Sequence, residues 1–190
     1  IDFDKLAKRF EKSRKRIEAE KLRGMLNQKL KQMVRLNKSR MDYLEKFKEM
    51  IKEYNAGASN IDMFYAKLLD FAKDLNEEEQ RGISENLTEE ELAIFDLLTK
   101  PAIKLSKKEQ GEVKEVAKEL LDTLKAERLV LDWRKRQQTR AAVQLAIEMI
   151  LDHLPSIYST DIYIQKCTRV YHHVYEAYYG QGRSVYSLAG

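Results

Sequence analysis

The residues of this sequence that could do acid–base or metal chemistry are few and badly spaced for it. The chain has three histidines and one cysteine, Cys167. His172 and Glu176 could chelate a metal from one helix face, but two ligands on one helix do not complete a site. Glu112 and Lys114 match the letters of a carboxylate–lysine nuclease motif, yet helical positions two apart point about 200° from each other. The sequence therefore predicts no catalytic residue and no metal ligand.

Motifs for cofactors and membranes are also missing from the sequence. It contains neither G-x-x-x-x-G-K-[ST] nor G-x-G-x-x-G, so we expect no nucleotide or other cofactor site, and no small-molecule substrate. No apolar run approaches about 18 residues, so we expect no membrane span. A lone cysteine cannot form an internal disulfide, which favours a reducing compartment and predicts a cytoplasmic protein.

Basic residues form the one polar cluster that invites interpretation. Between Trp133 and Ala141 the sequence is polar throughout, and its cations are Arg134, Lys135, Arg136 and Arg140. If Asp132 caps a helix, three of these cations occupy its first turn, where the helix dipole disfavours them. Trp133, Arg136 and Arg140 would then share a face. Two interpretations stay open: the cations pair with the acidic segment 85–91, or they contact phosphate or an acidic partner protein.

Charge is also segregated along the whole chain. Residues 1–54 carry 17 Lys/Arg against 9 Asp/Glu, whereas residues 55–100 carry 4 against 11. The first segment includes the run Arg14, Lys15 and Arg16, with no apolar side chain among them. Either this basic arm faces phosphate, or it and the acidic middle partly neutralise each other within one fold.

Apolar residues recur every three or four positions, which is the period of a helix. From Asp4 to Tyr54 this pattern predicts a helical arm with breaks near Gly24 and at residues 37–39. A break is expected because an unbroken helix of this length would reach roughly 75 Å, longer than a small domain. Residues 55–60 are predicted to form a loop after the arm.

Later helices are predicted from their starts and ends. Capping boxes at Thr88–Glu91 and Ser106–Glu109 each begin a helix. Asp132 is expected to cap another that reaches Leu154, and Ser159 or Thr160 to begin the last, with Gly180 after its end.

The predicted class is therefore all-α, a bundle of about six or seven helices with a long N-terminal helical arm. We assign residues 1–54 to the basic arm, 55–180 to the helical bundle and 181–190 to a flexible tail. We also expect the sequence to be a segment of a longer protein, since it begins without Met.

Four segments carry a family resemblance: Asn37–Phe47, Leu87–Asp96, Val130–Ala141 and Val170–Tyr179. In this order they resemble the C-terminal helical region of the R (restriction) subunit of type I restriction enzymes. The resemblance runs from about residue 25 to about residue 186, and its specificity comes from the fixed order of the segments.

The resemblance implies a parent protein with an N-terminal Mg²⁺-dependent nuclease, an ATP-driven DNA translocase motor, and this helical region last. ATP and Mg²⁺ would act upstream, and none of the family's catalytic residues maps onto this chain. The helical region is expected to dock the motor onto the modification (methyltransferase) and specificity subunits.

Three hypotheses result for the chain itself. It is a docking and scaffold domain, as the resemblance implies. Alternatively it contacts DNA phosphates through Arg14, Lys15, Arg16 and the cluster at 134–140. A third alternative is self-association through a coiled coil built on residues 25–54.

Overall fold

The structure is a computed structural model that describes residues 3–101 and 103–188, with side chains at residue 12 and from residue 14 onward. Over this part of the chain it contains seven α-helices and one small antiparallel sheet, which confirms the all-α class. The elements in chain order are α1 (Phe3–Leu36), α2 (Met41–Asn55), α3 (Ile61–Ser84), α4 (Glu89–Thr99), α5 (Lys107–Thr123), α6 (Gln137–Leu151), α7 (Thr160–Ala177), β1 (Tyr178–Gly180) and β2 (Arg183–Ser184).

These elements form two compact units. The first runs to Ser84 and contains α1, α2 and α3, while the second starts at Glu85 and contains the rest. The arm is therefore not separate from the next helix of the chain, and the boundary predicted after residue 54 is corrected. The reason is that α3 packs on both preceding helices and shares one core with them.

That shared core explains why α1 is continuous. No break occurs at Gly24, contrary to the prediction. A Cβ at Gly24 would meet no atom within 4 Å, so the residue faces open space and costs the helix only about 1 kcal/mol. Ala19, Leu26 and Leu30 are buried in the core of this unit, and burying such a stripe outweighs that cost. Apolar residues of segment 25–54, on which a coiled coil was proposed, are thus buried within this unit's own core.

The helix does end at Leu36, where a break was predicted near residues 37–39. Asn37 has extended backbone, and its side-chain oxygen accepts a 3.0 Å hydrogen bond from the backbone N–H of Ser39. A short 3-10 turn, Lys38–Arg40, comes before α2. The buried guanidinium of Arg40 donates a 3.4 Å hydrogen bond to the carbonyl oxygen of Met33, which also accepts from the backbone N–H of Asn37 at 2.9 Å.

The second unit is built around α4. Residues 92–98 of this helix are all buried, and α4 packs on both α5 and α7. Both predicted capping boxes are formed: Thr88 exchanges hydrogen bonds with Glu91, and Ser106 with Glu109. Local sequence chemistry therefore sets where α4 and α5 begin.

Residues 181–187 of the predicted flexible tail at 181–190 are packed against the rest of the unit, whereas residues 189–190 of that tail lie outside the described residues. The strands β1 and β2 form a hairpin whose turn holds positive φ at Gly180, Gln181 and Gly182. Val185 is buried, and its backbone N–H donates to the carbonyl oxygen of Ala177 at 2.9 Å. The free energy gained by burying this apolar side chain exceeds the conformational entropy that the chain end loses on packing.

Candidate interaction surface

Residues 128–136, named here the Trp133 loop, join a π-helical turn, Leu124–Arg128, to α6. Trp133 is fully buried at the middle of this loop. Its indole Nε1 donates a 3.1 Å hydrogen bond to the carbonyl oxygen of Tyr178, so its polar atom is satisfied as well. One side chain thereby anchors the loop to the strand that comes after α7.

The loop replaces the helix start predicted at Asp132. Asp132 adopts a left-handed conformation with φ of 55°, which a helix N-cap does not have. The hydroxyl of Thr139 donates to the carbonyl oxygen of Trp133 at 2.6 Å, and α6 begins only at Gln137. It ends at Leu151, three residues before the predicted end. The predicted helix start at Asp132 is therefore wrong. Asp occurs both as a helix N-cap and in left-handed turns, so its residue type alone does not distinguish the two.

The C-terminal hairpin backs the loop from inside. A Cβ built on Gly180 would lie 2.4 Å from the carbonyl oxygen of Val130, so only glycine fits at this position. Beside it, the backbone N–H of Gln181 donates to the carbonyl oxygen of Leu129 at 2.9 Å. Hairpin and loop are therefore in direct backbone contact.

Two of the predicted site cations, Arg134 and Arg140, hold this arrangement together. The Arg134 guanidinium lies 4.9 Å from the ring centroid of Tyr179 and 5.5 Å from that of Tyr175, at cation–π distance. It also donates to the carbonyl oxygen of Tyr175 at 3.1 Å. Arg140 donates to the carbonyl oxygen of Arg134 at 2.7 Å. Both arginines thus bind within the unit.

Two carboxylates of the acidic segment 85–91 bind lysines outside this cluster. Glu85 binds Lys114 at 2.6 Å, and Glu90 binds Lys125 at 3.0 Å. The predicted common face of Trp133, Arg136 and Arg140 does not form, because the first two precede α6.

The remaining cations of the cluster, Lys135 and Arg136, are exposed on the outside of the loop. Between them and Arg128 in the sequence are two exposed aliphatic residues, Val130 at 46% and Leu131 at 53%. Sequence reasoning missed this pair. A signal for it existed, because Leu129, Val130, Leu131 and Trp133 cannot all face one core from a single helix.

The second predicted cluster, Arg14, Lys15 and Arg16, lies on α1 in the first unit. Lys15 binds Asp62 of α3 at 2.7 Å, whereas the Arg14 side chain is 84% exposed and contacts Glu18. Arg16 is exposed. The basic arm is therefore partly neutralised by the acidic middle, as one of the two interpretations expected.

One buried cation lies elsewhere in the second unit. Lys166 is 3% exposed, and its Nζ donates to the carbonyl oxygens of Leu97 at 3.0 Å and Lys100 at 2.7 Å. These oxygens belong to the end of α4, where acceptors lack helical partners. Burial, together with the nearby charge of Arg169, lowers the pKa of Lys166 to about 8. This lysine caps a helix from inside the core.

Groups that could support catalysis or metal binding are dispersed. Among the described side chains, those of residues 12, 14–101 and 103–188, no three His, Cys, Asp or Glu groups converge on one metal position. Burial raises the pKa of the Cys167 thiol, which makes it a poor nucleophile. The Nε2 of His173 lies 3.2 Å from the hydroxyl of Tyr186. In the same part of the chain, none of the helices has the length and apolar character needed to span a membrane.

Comparison with known proteins places this structure in a family. A family model described as Type I restriction enzyme HindI endonuclease subunit-like, C-terminal, matches residues 1–177. A protein of Methanocaldococcus jannaschii, provisionally described as the type I restriction enzyme MjaIXP endonuclease subunit, is 30% identical over 112 residues. The match covers 57% of this chain and 10% of that protein, so the chain spans about a tenth of the curated relative. No solved structure matches. The chain belongs to the family of C-terminal domains of type I restriction enzyme endonuclease subunits.

Proposed function

We propose that this chain is a non-catalytic docking and scaffold domain that holds the endonuclease subunit of a type I restriction enzyme against its modification and specificity subunits. Membership of the family supports the part of this proposal that assigns the chain to a type I restriction enzyme endonuclease subunit. In this proposal, DNA translocation and cleavage belong to the rest of the endonuclease subunit, and so do ATP and Mg²⁺.

The observation that carries the proposal is the exposed apolar surface of the second unit. Single exposed aliphatic residues are ordinary, but groups of them mark protein contacts. In this unit two of them, Val130 and Leu131, are adjacent in the Trp133 loop, where they are 46% and 53% exposed.

The elements that present this surface suit a scaffold. Helix α4 is buried along most of its length, both capping boxes are complete, and the hairpin fixes the Trp133 loop. A surface held rigid before binding loses little conformational entropy when a partner docks.

Size-exclusion chromatography of the complete chain with a purified modification–specificity complex tests the proposal. We expect the chain to co-elute with the complex and to show neither ATP hydrolysis nor DNA strand scission alone. Absence of co-elution, with a longer endonuclease subunit binding the same complex, would contradict docking. Hydrolysis or scission by the chain would contradict its non-catalytic role.

DNA contact is the second candidate, and exposed cations favour it. Arg14 and Arg16 on α1, and Lys135 and Arg136 in the Trp133 loop, face solvent. Charge reversal of each pair tests DNA contact. If these cations contact phosphates, the affinity for duplex DNA should also fall steeply with salt. Loss of duplex binding with subunit docking intact would support DNA contact. Arg134 and Arg140 are unsuitable for this test, since they hold the loop in place.

A further inference from the structure

We propose that the Trp133 loop is the docking contact of this domain, and that it binds a protein surface in which an apolar pocket is rimmed by carboxylates. This inference rests on the proposed docking function and assigns it to one surface. Its centre is the pair Val130 and Leu131, and its rim is Arg128, Lys135 and Arg136.

The loop is held in one conformation by contacts along its length. Trp133 is fully buried and bonded to Tyr178, and the hydroxyl of Thr139 caps the carbonyl of Trp133 at 2.6 Å. Asp132 is kept at positive φ, a conformation that costs a non-glycine residue free energy. Strain maintained by surrounding contacts is typical of loops that bind, because it presents the binding residues in advance.

The apolar centre is left uncovered by the described residues of its own unit. Val130 and Leu131 are about half exposed, while their neighbours in sequence, Leu129 and Trp133, are buried at 7% and 0%. The loop therefore turns two aliphatic side chains outward from a segment whose other apolar residues face the core. Removing such side chains from water is the main favourable term in protein association.

Charge defines the rim. Residues 127–136 hold four cations and only two carboxylates, Glu127 and Asp132. Lys135 contacts Asp132 at 3.0 Å and Arg128 contacts Glu127 at 3.7 Å, both at the exposed surface, where such pairs are weak and exchange readily. Arg136 is exposed at the start of α6. The net positive rim complements a partner surface rich in Asp and Glu.

A protein fits this surface better than duplex DNA does. Phosphates would satisfy the cations, but a DNA backbone offers no apolar pocket for two adjacent aliphatic side chains at the centre. Interfaces between proteins combine an apolar centre with a polar rim, and residues 128–136 supply exposed side chains of both kinds.

The second unit supplies a matched control on another surface. Leu145 and Met149 lie on α6 and are 57% and 63% exposed, slightly more than the loop pair. Lys107 and Lys108 are exposed in the first turn of α5 and match Lys135 and Arg136 in charge. Substitutions at these positions remove a similar exposed apolar area, or reverse the same number of charges, as the loop substitutions do, and they leave the loop residues unaltered.

The experiment measures the affinity of the complete chain for the purified modification–specificity complex by biolayer interferometry. We expect V130S/L131S to weaken binding about tenfold or more and L145S/M149S to leave it unchanged. We expect K135E/R136E to slow association and reduce its salt dependence, whereas K107E/K108E does not. Since the replaced side chains are exposed, thermal unfolding followed by circular dichroism should show no variant less stable than the unaltered chain.

The outcomes separate the two proposals. If the unaltered chain binds and V130S/L131S binds equally well, the loop assignment is wrong and docking stands. If L145S/M149S is the variant that loses binding, the contact is α6 instead. If the unaltered chain does not bind, the docking function fails, and this inference fails with it. A loop variant that loses only affinity for a short DNA duplex would identify the loop as a nucleic-acid contact and overturn the inference.

Discussion

The guanidinium of Arg40 and the carboxylate of Glu78 form a buried ion pair that joins the end of α1 to α3. The Nε of Arg40 lies 2.9 Å from Oε1 of Glu78, and the two side chains are 2% and 6% exposed. Arg81, one turn along α3, binds the other carboxylate oxygen of Glu78 at 2.8 Å. The pair fixes the turn after α1, so it should matter to the first unit far more than the surface ion pairs do.

Replacing Arg40 by methionine should destabilise the first unit by about 3–5 kcal/mol, because it leaves Glu78 buried beside only one partner. The double variant Arg40→Met/Glu78→Leu should lose less, since it removes both buried charges. Amide hydrogen exchange in α1 and α3 measures the change. As a control, Lys46→Met breaks the exposed Lys46–Asp74 pair and should cost less than about 1 kcal/mol. Equal effects of Arg40→Met and Lys46→Met would show that burial of the Arg40 pair is unimportant.

The stability of the first unit should depend on pH through Glu78. Burial raises the pKa of this carboxyl, but hydrogen bonds from Arg81 and Arg40 lower the pKa by more. The pKa of Glu78 therefore lies below the ordinary 4.5. A lowered folded-state pKa contributes stability above pH 4.5, and this contribution is lost as the pH falls through the folded-state value. The difference in exchange protection between the wild type and Glu78→Gln should therefore narrow below pH 4.5. A difference that widens there would contradict this sign.

Lys166 should stabilise the second unit by capping α4. Lys166→Met removes the side-chain donor to the carbonyl oxygen of Leu97 and leaves Arg169 as the donor to that of Lys100, so it should cost roughly 1–3 kcal/mol near neutral pH. Urea unfolding followed by fluorescence measures it, because the single tryptophan, Trp133, is buried in this unit. Thr168→Ala, on the exposed side of α7, serves as the control.

The same variant also carries a pH signature. The pKa of Lys166 falls from an ordinary 10.5 to about 8 in the folded protein. Below pH 8 the lysine is charged in both states, so the penalty for burying the charge is fully present. Between about pH 8 and 10.5 the folded state releases its proton first, so the wild type should gain stability relative to Lys166→Met. A gap that shrinks over this range would refute the assignment.

Gly24→Ala should stabilise the first unit by about 0.5–1 kcal/mol, because it replaces glycine inside a continuous helix with the best helix former. No atom lies within 4 Å of the added Cβ, so no clash offsets the gain. Hydrogen exchange around residue 24 measures it. A loss of protection there would instead support the break that the sequence predicted.

Much of the fold could be predicted from the sequence because its determinants are local. The side chains of Thr88 and Glu91 are three residues apart and need only each other to start α4. The break after α1 was likewise visible, since Asn37 caps Ser39 two residues on. Gly24 was misjudged because its helix is stabilised by α3, which lies far away in sequence and outweighs local propensity.

The candidate site could not be predicted because its determinants are tertiary. Asp132 suits an N-cap and a left-handed turn equally well, and the choice is made by the hydrogen bond from Trp133 to Tyr178, 45 residues away. Once Trp133 is drawn into the core, Arg134 stacks on the rings of Tyr175 and Tyr179. The cations that face solvent are then Lys135 and Arg136, which no pattern in the sequence distinguishes from Arg134.

The contact between the hairpin and the Trp133 loop should be sensitive to substitution of Gly180. Gly180 has φ of +93°, and a Cβ there would lie 2.4 Å from the carbonyl oxygen of Val130, so Gly180→Ala must displace one backbone segment from another. We expect a loss of about 3 kcal/mol or more, since the clash adds to the conformational cost. Gly182→Ala is the matched control: its φ is +74°, but nothing lies within 4 Å, so only the conformational cost of about 1–2 kcal/mol applies. Urea unfolding followed by Trp133 fluorescence compares the two, and the emission of folded Gly180→Ala should also shift to longer wavelength as the indole gains access to water. Equal losses for both variants, with no spectral shift, would mean that the hairpin does not hold the loop in place.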